Sequence, residues 1–195
     1  MSIRQVDGAY TVSYQTRWGE GWVYVRDGRL IGVDLPGEGP LEEARTTEAG
    51  GTGPEGAPGA AGVPGAADAE ALAFWARELK AYFAGERTTW TAAEVPLAHL
   101  ALGTFEQAVY EALLSIPPGE TVSYGELAEI AGYPRAARAV GNAMAGNPIP
   151  VVVPCHRVIR SDGAMGRYGN DPRWKERLLV HEGWARAGGP PAEGS

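Results

Sequence analysis

The chain has 195 residues, 44% of them apolar and 21% charged, with a formal net charge of −7. This balance is ordinary for a globular protein and excludes wholesale disorder, collagen and coiled coil. No apolar run nears the roughly 20 residues that a membrane-spanning helix needs, and the start, MSIRQVDGAYTV, has no secretory stretch, so a cytoplasmic protein is expected.

The first forty residues read as a small antiparallel sheet. Tyr10, Val12 and Tyr14 alternate with polar residues, as in a half-buried strand. Two apolar runs, 21–26 and 29–35, flank Asp27-Gly28, a strong hairpin signal, and Pro36-Gly37 ends the sheet. Residues 48–67 hold 7 Gly, 6 Ala and 3 Pro and read as a flexible insert, since they cannot bury enough apolar area to offset their ordering entropy. Asp68 reads as the N-cap of a helix through residue 84, with Leu72, Trp75, Leu79 and Tyr82 on one face and Gly85 closing it. Residues 96–103 form a connector. The expected domains are therefore 1–100 and 101–187, followed by a flexible tail, 188–195.

The second half reads as mainly helical. TFEQ at 104–107 has the form of a capping box, and Phe105, Val109, Ala112, Leu113 and Ile116 make one apolar face. SYGE at 123–126 is a second capping box, opening a short helix to Ala131. Gly132, Tyr133 and Pro134 break it, and the next helix is expected over 135–145. Two short helices joined by a Gly-containing turn fit a helix-turn-helix. The second is rich in small residues, which suit close approach either to a core or to DNA, and Arg138 favours the DNA side. Charge points the same way. Residues 1–134 carry 8 basic and 19 acidic side chains, whereas residues 135–186 carry 9 and 4. A cationic C-terminal third on an acidic protein suggests a localised anionic partner.

Cys155 is the only cysteine, which excludes an intramolecular disulfide and any multi-cysteine zinc site; with three histidines, neither a metal nor a cofactor is expected. The thiol closes the run NPIPVVVPCHR, 147–157, in which prolines bracket an apolar stretch. An ordinary thiol, with a pKa of about 8.5, needs a base for nucleophilic work, and His156 follows directly. Adjacent side chains in extended structure point oppositely, so a bend or an intervening water is required. Asp171 caps a final helix, with Pro172 at its start, that ends at His181-Glu182-Gly183. Glu182 could orient an imidazole and complete a carboxylate–histidine–thiol arrangement, or simply be an exposed helix-end glutamate.

The block VPCHRV at 153–158 resembles the signature of the O6-alkylguanine-DNA alkyltransferases, also called methylated-DNA–protein-cysteine methyltransferases. The resemblance runs from about Phe105 to Trp184 and includes VSYGELA at 122–128, AARAVG at 136–141, GNP at 146–148, GAMG at 163–166 and KERLLVHEG at 175–183. It implies a two-part fold of mixed α and β type: a ribonuclease-H-like N-terminal domain with a small antiparallel sheet and a helix, and a mainly helical domain with a helix-turn-helix. It implies a suicide DNA-repair protein, a monomer that binds double-stranded DNA through the minor groove, flips the damaged base and takes the alkyl group of O6-alkylguanine, or of O4-alkylthymine, onto its own cysteine. Cys155 would be the acceptor, His156 the base acting through a water, Glu182 its support, Asn147 the organiser of the site loops, and Tyr124 the donor to the guanine ring nitrogen. Arg138 would fill the gap left by the flipped nucleotide, with Tyr124, Ala137, Gly141 and Ser161 against DNA. Met144, Pro150, Val158, Tyr168 and Gly169 would line the base pocket. Ala145 stands where some relatives carry arginine, which implies a weaker grip on DNA.

Three competing readings differ in observable ways. A non-catalytic lesion binder of the same family lacks the cysteine. A helix-turn-helix regulator leaves the thiol, His156 and Glu182 without a role. A cysteine hydrolase would turn over, and no oxyanion-hole motif is evident.

Overall fold

The computed structural model describes residues 3–37, 63–95, 97–100, 102–166, 168–169, 171 and 173–185. The insert at 48–62, the tail at 188–195 and Pro172 lie outside the described residues. The architecture is of mixed α and β type, a small antiparallel sheet with helices, divided into two compact units at Arg87/Thr88. The division precedes the 100/101 boundary expected from sequence. Its reason is contact: the Thr88 carbonyl accepts from Arg157, and the 3₁₀ turn Leu97–His99 packs on the helix Thr104–Leu114, so the connector belongs to the second unit.

In the first unit, β1 (Ile3–Val6), β2 (Ala9–Thr16), β3 (Gly19–Arg26) and β4 (Arg29–Asp34) pair in that order as an antiparallel meander. Asp27 and Gly28 take φ of 52° and 70°, the left-handed pair that a type I′ turn demands. Asp7 and Gly8, at 47° and 75°, build the same turn between β1 and β2, a strand absent from the sequence reading. Tyr14 is wholly buried and donates to the Asp34 carbonyl at 2.9 Å. A Cβ on Gly21 would overlap the Tyr14 ring, so only glycine fits where β3 crosses that side chain.

Helix α1 (Ala66–Ala84) lays Leu72, Trp75, Leu79, Tyr82 and Phe83 into the core, with Phe83 near-parallel to Tyr14 at 6.0 Å between ring centres. It ends on Gly85 at φ 81°. Two expectations are corrected here. The helix starts within the supposed insert, at Ala66, behind Gly65. Asp68 is therefore not its N-cap; its carboxylate instead accepts from the Gly28 amide at 2.7 Å and ties the helix to the β3–β4 turn.

In the second unit, α2 (Thr104–Leu114) is capped by Gly103, not Thr104, and has no side-chain cap bond. Gly103 leaves the room that Glu106, folded back toward it, occupies. Strand β5 (Val122–Ser123) leads into α3 (Tyr124–Ile130), where the expected capping box is complete: Ser123 Oγ accepts from the Glu126 amide and the Glu126 carboxylate accepts from the Ser123 amide. Helix α4 (Ala137–Ala145) begins two residues later than expected, because Arg135 takes φ 72° and cannot be helical. Strand β6 (Val158–Ile159) pairs in parallel with β5, and α5 (Arg173–His181) follows, with Asp171 accepting from the Arg173 amide.

Candidate active site

Cys155 is delivered by a rigid loop. Val151, a β-branched residue at φ 75°, marks a strained reversal. Val153 N–H donates to the Ile149 carbonyl, and the Cys155 N–H donates back to Val153 around Pro154 at φ −81° and ψ 59°, an inverse γ-turn. The side chain of Asn147 fastens this loop. Its Oδ1 accepts from Ile149 N–H, while its Nδ2 donates both to the Val153 carbonyl at 2.9 Å and to Cys155 Sγ at 3.1 Å.

Cys155, His156 and Arg157 then form a single 3₁₀ turn, the bend that lets neighbouring Cys and His side chains serve one site. His156 is wholly buried, and its Nε2 lies 2.8 Å from Glu182 Oε1. Arg157, equally buried, donates Nε to Glu182 Oε2 at 2.8 Å and Nη2 to Oε1 at 2.9 Å, and reaches the carbonyls of Ile116 and Thr88 at 2.5 and 2.7 Å. Burial penalises the Glu182 carboxylate, but the hydrogen bonds and charges of His156 and Arg157 outweigh it and hold the pKa at about 2. Burial dominates at His156 and lowers its pKa despite Glu182. The ring is thus neutral, with its Nε2–H given to the carboxylate. That leaves Nδ1 as the basic nitrogen, and Nδ1 is buried without a protein partner.

Burial pushes the Cys155 thiol up, against the hydrogen bonds of Asn147 and Tyr168 and the positive charge of Lys175. Lys175 is a residue that sequence reasoning missed as part of the site. It is 1% exposed, its pKa is drawn down to about 8 by burial, and its Nζ lies 3.5 Å from the Tyr124 hydroxyl. A signal was available: on α5, Lys175 falls on the same apolar stripe as Trp174, Leu178 and Leu179. Burial and Cys155 raise the pKa of Tyr124, while Arg160 lowers it. Arg157 was missed as well, since nothing local marks an arginine for burial.

All five residues expected to face DNA share one groove. Tyr124, Ala137, Arg138, Gly141 and Ser161 line a cavity of about 510 Å³ together with Ser123, Gly125 and Arg160. Of the residues expected in the base pocket, Tyr168 sits beside His156, its ring centre 6.5 Å from that of the imidazole. Met144, Pro150, Val158 and Gly169 are not among the groove's lining residues: Val158 is wholly buried in β6, Pro150 and Met144 are half-buried, and Gly169 is exposed at φ 45°. Among the described residues, no group of three or more His, Cys, Asp and Glu side chains could hold a metal ion.

Comparison with known proteins gives the family. Residues 104–184 match the family described as 6-O-methylguanine DNA methyltransferase, DNA binding domain. A mouse methylated-DNA–protein-cysteine methyltransferase is 41% identical over 162 residues, covering 80% of this chain and 70% of the mouse protein. The chain belongs to the methylated-DNA–protein-cysteine methyltransferase family. A Mycobacterium leprae member is 53% identical over 106 residues, 54% of this chain and 61% of its own. Among solved structures, the Mycobacterium tuberculosis O6-methylguanine methyltransferase superposes with a TM-score of 0.64 at 33% identity, covering 98% of this chain and 97% of that one. A complex of the M. tuberculosis protein with DNA gives 0.64 at 34% identity, covering 88% and 91%.

Proposed function

We propose that this chain repairs alkylated DNA by direct, single-use transfer of an alkyl group from guanine O6, or from O4-alkylthymine, to Cys155. The observation that carries the reading is a buried thiol held by Asn147 beside a buried His156–Glu182–Arg157 network and a groove lined by Arg138 and Tyr124. The sulfur attacks the alkyl carbon, the carbon–O6 bond breaks, and the electron pair leaves with the guanine. His156 takes the thiol proton through a bridging water at Nδ1, with Glu182 fixing the tautomer. Tyr124 gives its proton to the guanine ring nitrogen, and the Lys175 ammonium, 3.5 Å away, stabilises the phenolate that remains. Arg157 acts through Glu182 and is a positioning residue.

α3 and α4 form the helix-turn-helix that enters the minor groove. Arg138 occupies the space of the extruded nucleotide, while Ala137, Gly141 and Ser161 allow close approach. Met144, Pro150, Val158, Tyr168 and Gly169 surround the flipped base. The protein acts as a monomer, with a ribonuclease-H-like first unit. A lesion binder without transfer and a helix-turn-helix regulator both leave the Cys155 site idle and are not favoured. Among the described residues, no helix is long and apolar enough to cross a membrane.

The test is intact-protein mass spectrometry after mixing with a duplex carrying one O6-methylguanine. One added methylene per protein, mapped to Cys155 and saturating one-to-one, is expected, and none with Cys155→Ser. Transfer that persists in the serine variant refutes the assignment of the nucleophile.

A further inference from the structure

Arg160 is a groove residue for which the repair reading has no role. Because β6 pairs in parallel with β5, Ile159 lies beside Ser123, the cap of α3, and Arg160 emerges next to Tyr124. Both flank Gly166: a Cβ there would lie 3.1 Å from the Tyr124 hydroxyl and 3.8 Å from Arg160 Cγ. Among the described residues, the groove is lined by two arginines, 138 and 160, and by no acid. The guanidinium of Arg160 is nevertheless engaged, donating Nε at 3.2 Å and Nη2 at 2.9 Å to the two carboxylate oxygens of Asp162, just outside the lining.

We propose that Arg160 is a phosphate-binding, strand-positioning residue, and that Asp162 occupies its fork until a backbone phosphate of bound DNA replaces the carboxylate. The inference rests on the DNA-repair reading of the groove. A carboxylate and a phosphate present the same pair of acceptors to a guanidinium, so the exchange needs no new geometry. It is also cheap. Both partners are more than half exposed, and exposed ion pairs contribute little. Nor does the exchange orphan Asp162, whose Oδ1 also accepts from the Ala164 amide at 3.0 Å within a turn closed by Gly163 N–H to the Arg160 carbonyl.

The test is duplex binding by fluorescence anisotropy over a salt series, on undamaged and O6-methylguanine duplexes, for wild type, Arg160→Gln, Asp162→Asn and the double variant. Arg160→Gln is expected to weaken both duplexes by about tenfold and to flatten the slope of log affinity against log salt by about 0.9, one phosphate contact. Asp162→Asn is expected to tighten binding by about 1.5- to 5-fold, the worth of an exposed ion pair. The double variant should match Arg160→Gln alone. An unchanged salt slope in Arg160→Gln overturns the inference, as does a loss confined to the damaged duplex, which would mark a base contact. Equal tightening by Asp162→Asn in the Arg160→Gln background overturns the role given to Asp162. Failure of the wild type to bind either duplex overturns the repair reading and this inference together, whereas wild-type binding with an unaffected Arg160→Gln overturns this inference alone.

Discussion

Glutamine at position 182 would preserve the shape of the side chain and remove its charge where no water can compensate. Glu182 Oε1 faces His156 Nε2 and Arg157 Nη2, and Oε2 faces Arg157 Nε; three donors meet two acceptor oxygens, all buried. An amide has one oxygen, so its NH₂ group must confront a donor, and the Arg157 guanidinium is left buried without a counter-charge. Breaking a buried pair in this way costs roughly 3–5 kcal/mol. Linkage gives a similar magnitude: a carboxyl held at about 2 in the fold against 4.5 ordinarily contributes about 3 kcal/mol. For a chain of this size that loss lowers the melting temperature by roughly 10 °C. The sign with pH follows. The folded pKa is depressed, so the contribution is complete above about 4.5 and is lost as pH falls toward 2. His156, also depressed, adds loss in the same direction, because the unfolded chain binds its proton first as pH falls through the ordinary histidine range near 6.5. Urea unfolding followed by tryptophan fluorescence at pH 7 and pH 3 reads both effects. Glu182→Gln should be less stable at pH 7 and should lack the lower acid limb. A variant within about 1 kcal/mol of wild type at pH 7, with the same acid loss, would refute the claim that this carboxylate is the keystone of the network.

Lys175→Met should separate stability from chemistry. A lysine drawn down to about 8 destabilises the fold wherever it is charged, so below pH 8 the variant should be more stable by about 1–3 kcal/mol, while transfer slows and its pH profile moves upward as the Cys155 thiol loses a cation; an unmoved profile would remove Lys175 from the site. Gly21→Ala should cost about 1–3 kcal/mol through overlap with the buried Tyr14 ring, checked by urea unfolding, with the m-value unchanged. Arg138→Ala, on an exposed side chain, should leave the melting temperature unchanged and slow methyl transfer from duplex DNA while sparing transfer from the free base O6-methylguanine; equal loss on both substrates would argue against a role in base extrusion.

What could be read from the sequence followed from local chemistry. Asp27-Gly28 and the Ser123–Glu126 box act on backbone groups within four residues, so the pattern names the structure. Asp7-Gly8 carried the same turn signal, but Ile3 and Val6 alone made too thin a strand beside it. Asp68 and Thr104 had the chemistry of caps and lost that role for different reasons. Asp68 was taken by an amide forty positions away, at Gly28, and Gly103 gave Glu106 the space to fold back one residue earlier. The site divides in the same way. The proline-bracketed run exposed Cys155 and His156, a long cation on a small-residue helix marked Arg138, and the family resemblance supplied Asn147 and Tyr124. The three-way partnership of Arg157 spans residues 88, 116 and 182, and no window of sequence contains it.

That partnership has a consequence for how the protein is made. Synthesis runs from the N-terminal side, so Cys155, His156 and Arg157 are joined to the chain before Glu182. Until then the Arg157 charge lacks the carboxylate that it meets in the fold. The buried network is therefore complete only once α5 and the turn after it are in place. A chain stalled or cleaved before residue 182 carries the thiol but not the frame that orients its histidine. The orientation of His156 is thereby tied to the last helix of the second unit.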